Sequence, residues 1–119
     1  MVVDDEQDMQ LLFKQQFRKE VKQNKITLYF AFSAEEALAN LQHKLTDCLG
    51  IIVTDINMPG MNGLEMLKII KGNFPEIKVI IATAYNDEYN SLIAKQHGAD
   101  DYITKPIEFN KLKEKILRA

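Results

Sequence analysis

The stretch Leu49-Gly50-Ile51-Ile52-Val53-Thr54-Asp55 is an apolar run that ends abruptly in a carboxylate. Its length and β-branched composition predict a strand covered on both faces. A lone carboxylate beside such a strand is costly unless it is put to use. Three other runs end in the same way: Met1-Val2-Val3 at Asp4-Asp5, Ile77-Lys78-Val79-Ile80-Ile81-Ala82 at Thr83, and Asp101-Tyr102-Ile103-Thr104 at Lys105. In an open α/β sheet the ligand crevice lies beyond the carboxyl ends of the strands. Parallel strands would therefore gather Asp4, Asp5, Asp55, Thr83 and Lys105 at one sheet edge, although they span residues 4 to 105.

Helical patterns fill the intervals. Met9, Leu12, Phe13, Phe17 and Val21 follow 3.6-residue spacing and predict a helix over about 7–23. Ile26-Thr27-Leu28-Tyr29-Phe30-Ala31 is β-branched and aromatic and predicts a further strand. Ser33-Ala34-Glu35-Glu36 has the form of a capping box, opening a helix whose buried stripe is Ala37, Leu38, Leu41 and Leu45. After Asp55 come the turn signals Pro59-Gly60 and Asn62-Gly63, then a third helix marked by Leu64, Leu67, Ile70 and Phe74 and stopped between Gly72 and Pro75. Asp87 caps a fourth helix that ends at Gln96 or His97, with Gly98 as its stop. Its apolar stripe, Leu92, Ile93 and Ala94, is thin, which predicts loose docking. Phe109, Leu112 and Ile116 mark a fifth helix. The alternation predicts a doubly wound α/β fold, a five-stranded parallel sheet with helices on both faces.

The 119 residues suit one domain, 1–119, and the composition, 46% hydrophobic and 27% charged, is that of an ordinary globular protein. A net charge of -2 gives no electrostatic case for nucleic acid or membrane binding by this segment. The single cysteine, Cys48, excludes an internal disulfide, fits a reducing cytoplasm and reads as a small buried hydrophobe. His43 and His97 read as surface residues at helix ends. Only Met1-Val2-Val3 precede the acidic pair, fewer than the roughly five or six residues of a usual strand. Both ends look like domain boundaries, compatible with an output or kinase module in a longer parent chain.

Three carboxylates at one edge would repel one another and raise each other's pKa unless a cation neutralises them. Mg2+ suits oxygen donors and commonly joins one or two carboxylates to a phosphate. Lys105 can pair with a carboxylate at rest and with a phosphoryl oxygen later, and Thr83 can donate a hydrogen bond to another. A carboxylate can itself serve as nucleophile and become an aspartyl phosphate. Taken singly these residues are ordinary: Asp4-Asp5 could be a solvated turn, Thr83 a strand residue, Lys105 a solvated cation. Their convergence carries the functional reading.

The chain resembles the receiver domain of two-component response regulators in four separate motifs: Val2-Val3-Asp4-Asp5-Glu6, Thr54-Asp55-Ile56-Asn57-Met58-Pro59-Gly60-Met61-Asn62-Gly63, Ala82-Thr83-Ala84, and Gly98-Ala99-Asp100-Asp101-Tyr102-Ile103-Thr104-Lys105-Pro106. The resemblance implies the CheY-like, flavodoxin-like strand order 2-1-3-4-5. It also implies a non-enzymatic switch that takes a phosphoryl group from a histidine kinase or phosphotransfer protein onto Asp55 and slowly loses it again. By the same resemblance, Asp5, Asp55 and the backbone carbonyl of Asn57 would hold Mg2+ or Mn2+, with Asp4 acting through water. Lys105 would contact the phosphoryl group, Thr83 and Tyr102 would form the switch pair, and Lys105-Pro106 would be cis. Tyr102 by itself reads as packing; only the resemblance makes it a switch. The output face would run over the fourth helix, the fifth strand and the fifth helix, meeting a partner, an output domain or a second copy. The shortened first strand is the one departure.

Two other classes fit less well. A phospho-aspartate phosphatase wants a second acid two residues after its nucleophile, where this chain has Asn57. A flavin carrier on the same fold wants a hydroxyl- and glycine-rich phosphate loop after the first strand, where this chain has Asp4-Asp5-Glu6.

Overall fold

The computed structural model describes residues 1–42, 50–84 and 87–117. Its elements are β1 (Val2–Val3), α1 (Gln7–Gln16), α2 (Arg18–Lys22), β2 (Phe30–Ala31), α3 (Ala34–Asn40), β3 (Ile51–Asp55), α4 (Gly63–Asn73), β4 (Lys78–Ala84), α5 (Glu88–Gln96), β5 (Asp101–Lys105) and α6 (Phe109–Leu117). All strand pairings are parallel and the sheet order is β2-β1-β3-β4-β5, the doubly wound topology expected.

Side-chain alternation along the strands builds a core on each face. Val3, Ile52, Val79 and Ile81 pack with Ala37 and Leu41 of α3 and its end, Met66, Leu67 and Ile70 of α4, and Ala94 of α5. Their neighbours Val2, Val53, Ile80 and Ala82, with Ile103, pack instead with Phe13, Phe17 and Leu112, the side of α1 and α6. Two covered faces leave only the sheet ends open, and the carboxyl end is where β1, β3, β4 and β5 deliver the polar residues.

The helix ends obey their local signals. Asn62 and Glu65 form a reciprocal capping box at α4. The Asp87 carboxylate accepts the Asn90 N–H at 3.2 Å to open α5, and Gly98, at φ +94, closes it. Ser33 Oγ accepts the Glu36 N–H at 3.0 Å, but the Glu36 carboxylate reaches back to the Phe32 N–H, one residue before the cap. Ala94 is the buried residue of α5, and Leu92 is exposed, so the thin stripe is real.

Two elements differ from their sequence patterns. The helix expected over 7–23 is divided at Phe17, whose ring stacks on Phe13 at 5.9 Å and meets Phe109 edge-on. Beyond that break α2 buries no residue, and Val21, expected on the buried stripe, is exposed, as is Leu12. The strand expected over 26–31 forms ladder pairs only at Phe30 and Ala31, because its neighbour β1 offers only Val2 and Val3. Ile26 and Leu28 are used against the α1–α6 core instead. Leu45 of the α3 stripe, His43, Cys48 and Leu49 lie outside the described residues.

Candidate phospho-acceptor site

Asp55 is the last residue of β3, flanked in register by Ala82 of β4. One of its oxygens, Oδ1, accepts the Ile56 N–H at 2.8 Å, and the other, Oδ2, lies 2.9 Å from Lys105 Nζ. Lys105 closes β5 two strands away and is joined to Pro106 by a cis peptide, as expected. Across the other edge of β3, β1 delivers Asp4 and Asp5. One carboxylate oxygen from each of Asp4, Asp5 and Asp55 lies within 4.8 Å of the others. Four of the five residues expected at the sheet edge are thus brought into one small polyanionic site with a single ammonium.

The three carboxylates differ in setting. Asp4 is buried, Asp55 half-buried and Asp5 exposed. Burial pushes the Asp4 carboxyl above its usual range; the Glu6 N–H, bonded to Oδ1 at 2.9 Å, and Lys105 oppose that rise, while Asp55 and Asp5 add to it. A buried carboxylate with two like charges beside it is a site that a hard divalent cation would relieve, and an all-oxygen donor set fits Mg2+ or Mn2+. Asn57 is exposed in the loop directly after β3, between the buried Ile56 and Met58.

Thr83 is buried near the end of β4, opposite Thr104. Tyr102 registers with Ile81 and stands 52% exposed, pointing its ring outward rather than into the core. Both line one cleft with Ser91 and Leu92 of α5, so the Thr83 side chain and the exposed ring share a wall with the loosely packed helix.

Three residues escaped the sequence reading. Gln10 is buried on α1, and its side-chain amide reaches the Asp4 backbone; its spacing with Phe13 and Phe17, i, i+3 and i+7, is the signal that could have placed it inward. Glu35 of α3 accepts the Met61 N–H at 3.4 Å and so touches the loop after Asp55. Gly63 opens α4 against β3, where a Cβ would lie 2.1 Å from the Asp55 carbonyl oxygen. Only a residue without a side chain permits that approach.

A family model described as the response regulator receiver domain matches residues 1–117. Over 87 residues the chain is 40% identical to the DNA-binding transcriptional regulator NtrC of Salmonella typhimurium, a match covering 73% of this chain and 18% of NtrC. The receiver domain of NtrX from Brucella abortus superposes with a TM-score of 0.84 at 28% identity, over 98% of this chain and 93% of that one. A CheY-like receiver domain protein from Methanospirillum hungatei gives 0.85 at 31% identity, over 98% and 88%. The chain belongs to the response regulator receiver domain family, and its fold is CheY-like. It is a signalling domain of the two-component type, spanning less than a fifth of NtrC. Among the described residues no helix is long and apolar enough to cross a membrane.

Proposed function

We propose that Asp55 accepts a phosphoryl group from the phosphohistidine of a sensor histidine kinase or phosphotransfer protein, and that the acyl phosphate alters the surface formed by α5, β5 and α6. The observation that carries this reading is the Asp55 carboxylate itself, set beside Asp4 and Asp5 with Lys105 Nζ at 2.9 Å from its Oδ2. A nucleophilic oxygen and a movable cation stand at one point.

A carboxylate oxygen of Asp55 attacks phosphorus while the donor's P–N bond breaks, its electron pair remaining on the imidazole. Lys105 exchanges its carboxylate partner for a phosphoryl oxygen, and the Thr83 hydroxyl donates to a second. Asp5, Asp55 and the Asn57 carbonyl would hold Mg2+ or Mn2+ directly, with Asp4 through water. When bound, the cation neutralises the carboxylates and the charge on the transferring group. As Thr83 turns inward it vacates the cleft wall it shares with Tyr102, whose exposed ring can follow. Slow hydrolysis of the acyl phosphate resets the domain, so turnover serves timing rather than product formation.

Incubation with acetyl phosphate and Mg2+ should add one phosphoryl group that hydroxylamine removes. Asp55→Asn keeps the shape and removes the nucleophile, so the label should vanish. Undiminished labelling of that variant would move the acceptor to another residue.

A further inference from the structure

We propose that Gln10 is a positioning residue for the candidate cation site, its side-chain amide holding the Asp4–Asp5 turn so that Asp5 and Asp55 face a common point. The proposal rests on the reading of Asp4, Asp5 and Asp55 as cation-holding residues. Gln10 lies on α1 at 5% exposure, among the few polar side chains that are buried. Its Nε2 donates to the Asp4 carbonyl at 3.3 Å and to the Ala31 carbonyl at 3.2 Å, one amide group shared between the ends of β1 and β2. The amide carries two N–H groups, one for each carbonyl, and both distances are at the long end for N–H···O bonds.

The need for this amide follows from the ladder. The β1–β2 pairing has two residue pairs, Val2 with Phe30 and Val3 with Ala31, and beyond them the Asp4 N–H donates to the Ala31 carbonyl at 3.1 Å. In that parallel register the next donor to the Asp4 carbonyl would be the Ser33 N–H. Ser33 has instead left the sheet to cap α3. A buried backbone carbonyl must find a partner, and the Gln10 side chain supplies it. The Asp4 carbonyl belongs to the same planar peptide unit as the Asp5 nitrogen, so fixing its direction fixes where the Asp5 side chain leaves the backbone. The far side of the turn is tied by the Asp4 carboxylate to the Glu6 N–H. Gln10 thus acts on the carboxylates through the main chain and touches none of them.

The test is Gln10→Met, which keeps length and loses both donors, compared with Phe13→Leu, which loosens the same helix but leaves the Asp4 carbonyl alone. Each purified domain is titrated with Mn2+ by electron paramagnetic resonance, melted by circular dichroism, and labelled with acetyl phosphate at rising Mg2+. Both variants should melt lower. Only Gln10→Met should bind Mn2+ about ten-fold more weakly, the low end for loss of a group supporting a metal ligand. Its labelling rate should return to the wild-type value at saturating Mg2+. Native Mn2+ affinity in Gln10→Met, or an equal loss in Phe13→Leu, would reduce Gln10 to a packing residue and overturn the proposal. Failure of the wild-type domain to take up Mn2+ would overturn the cation site itself, a distinguishable result.

Discussion

Asp4 carries its charge at 4% exposure, and the cost of that burial is a folded-state carboxyl that holds its proton more tightly than an unfolded one. The native state therefore binds more protons in the window above the ordinary value of 3.8, and stability falls as pH rises through the raised value. Asp4→Asn keeps an Oδ1 acceptor for the Glu6 N–H and removes the buried charge. Without divalent cation at neutral pH it should raise stability by about 0.5–2 kcal/mol in urea unfolding. The gain should disappear as the pH drops below 3.8; a variant less stable than wild type at neutral pH would mean that the carboxylate is a net stabiliser. Asp5 is the exposed member and is expected to touch the cation. Asp5→Ala should depress Mn2+ affinity strongly, and an unchanged titration would remove Asp5 from direct coordination.

At the scale of elements, the site depends on how helices are fastened to the strands that carry it. Gly63 lets α4 begin directly against the end of β3, and its N–H donates to the Ile56 carbonyl at 2.8 Å. Gly63→Ala forces a Cβ into the Asp55 carbonyl and should cost about 1–3 kcal/mol, the range for overpacking. Because the displaced backbone is that of Asp55, acetyl phosphate labelling should slow as well; a stable, normally labelled variant would show that α4 can shift aside freely. On the opposite face, Lys113 of α6 binds Glu20 of α2 at 3.1 Å and lies over the Phe17 ring. The hydrogen bond from Lys113 holds the Glu20 carboxyl below its ordinary 4.5. A lowered acid stabilises the fold fully above 4.5 and loses that contribution as pH falls through the lowered value. Glu20→Gln should accordingly melt below wild type at neutral pH, with the two curves converging in acid. A gap independent of pH would assign the loss to packing rather than charge.

At the scale of the whole molecule, the face of α5 and β5 is the one proposed to respond. Tyr89 and Leu92 of α5 and Tyr102 of β5 are exposed, while Thr83, in the same cleft, is buried beside the strand ends. The charges around this face are partly engaged within the chain: Lys115 with Asp101, Lys111 with Glu108, and Asp100 with Lys71. The exposed Lys111–Glu108 pair is individually weak and can be traded for a partner's charges, whereas Lys71 and Asp100 are also tied to the Ile77 carbonyl and the Val79 N–H. A beryllofluoride adduct at Asp55 should change amide-exchange protection chiefly between Thr83 and Lys105. Thr83→Ala should still take the phosphoryl group, slowly, and fail to transmit that change. Identical exchange with and without the adduct would make the domain a passive phosphoryl carrier and Tyr102 ordinary packing.

The strand runs, the helix caps at Ser33 and Asp87, and the alternation of elements are local properties, so they were legible in the chain itself. The convergence of Asp4, Asp5, Asp55 and Lys105 also followed, because parallel strands leave their carboxyl ends at a common edge whatever their separation in sequence. The length of β2 did not: a ladder is as long as the shorter partner, and β1 contributes two residues. Nor did the break at Phe17, where helical periodicity continues through a residue whose ring is held by Phe13 and by Phe109, remote in sequence. The Gln10 amide could be placed inward by its spacing, but its acceptors lie 6 and 21 residues away, and only the packed sheet brings those carbonyls within reach. Periodicity and capping act over one or two turns of chain, whereas hydrogen-bond partners and ladder ends are settled between segments, and those the tertiary structure alone decides.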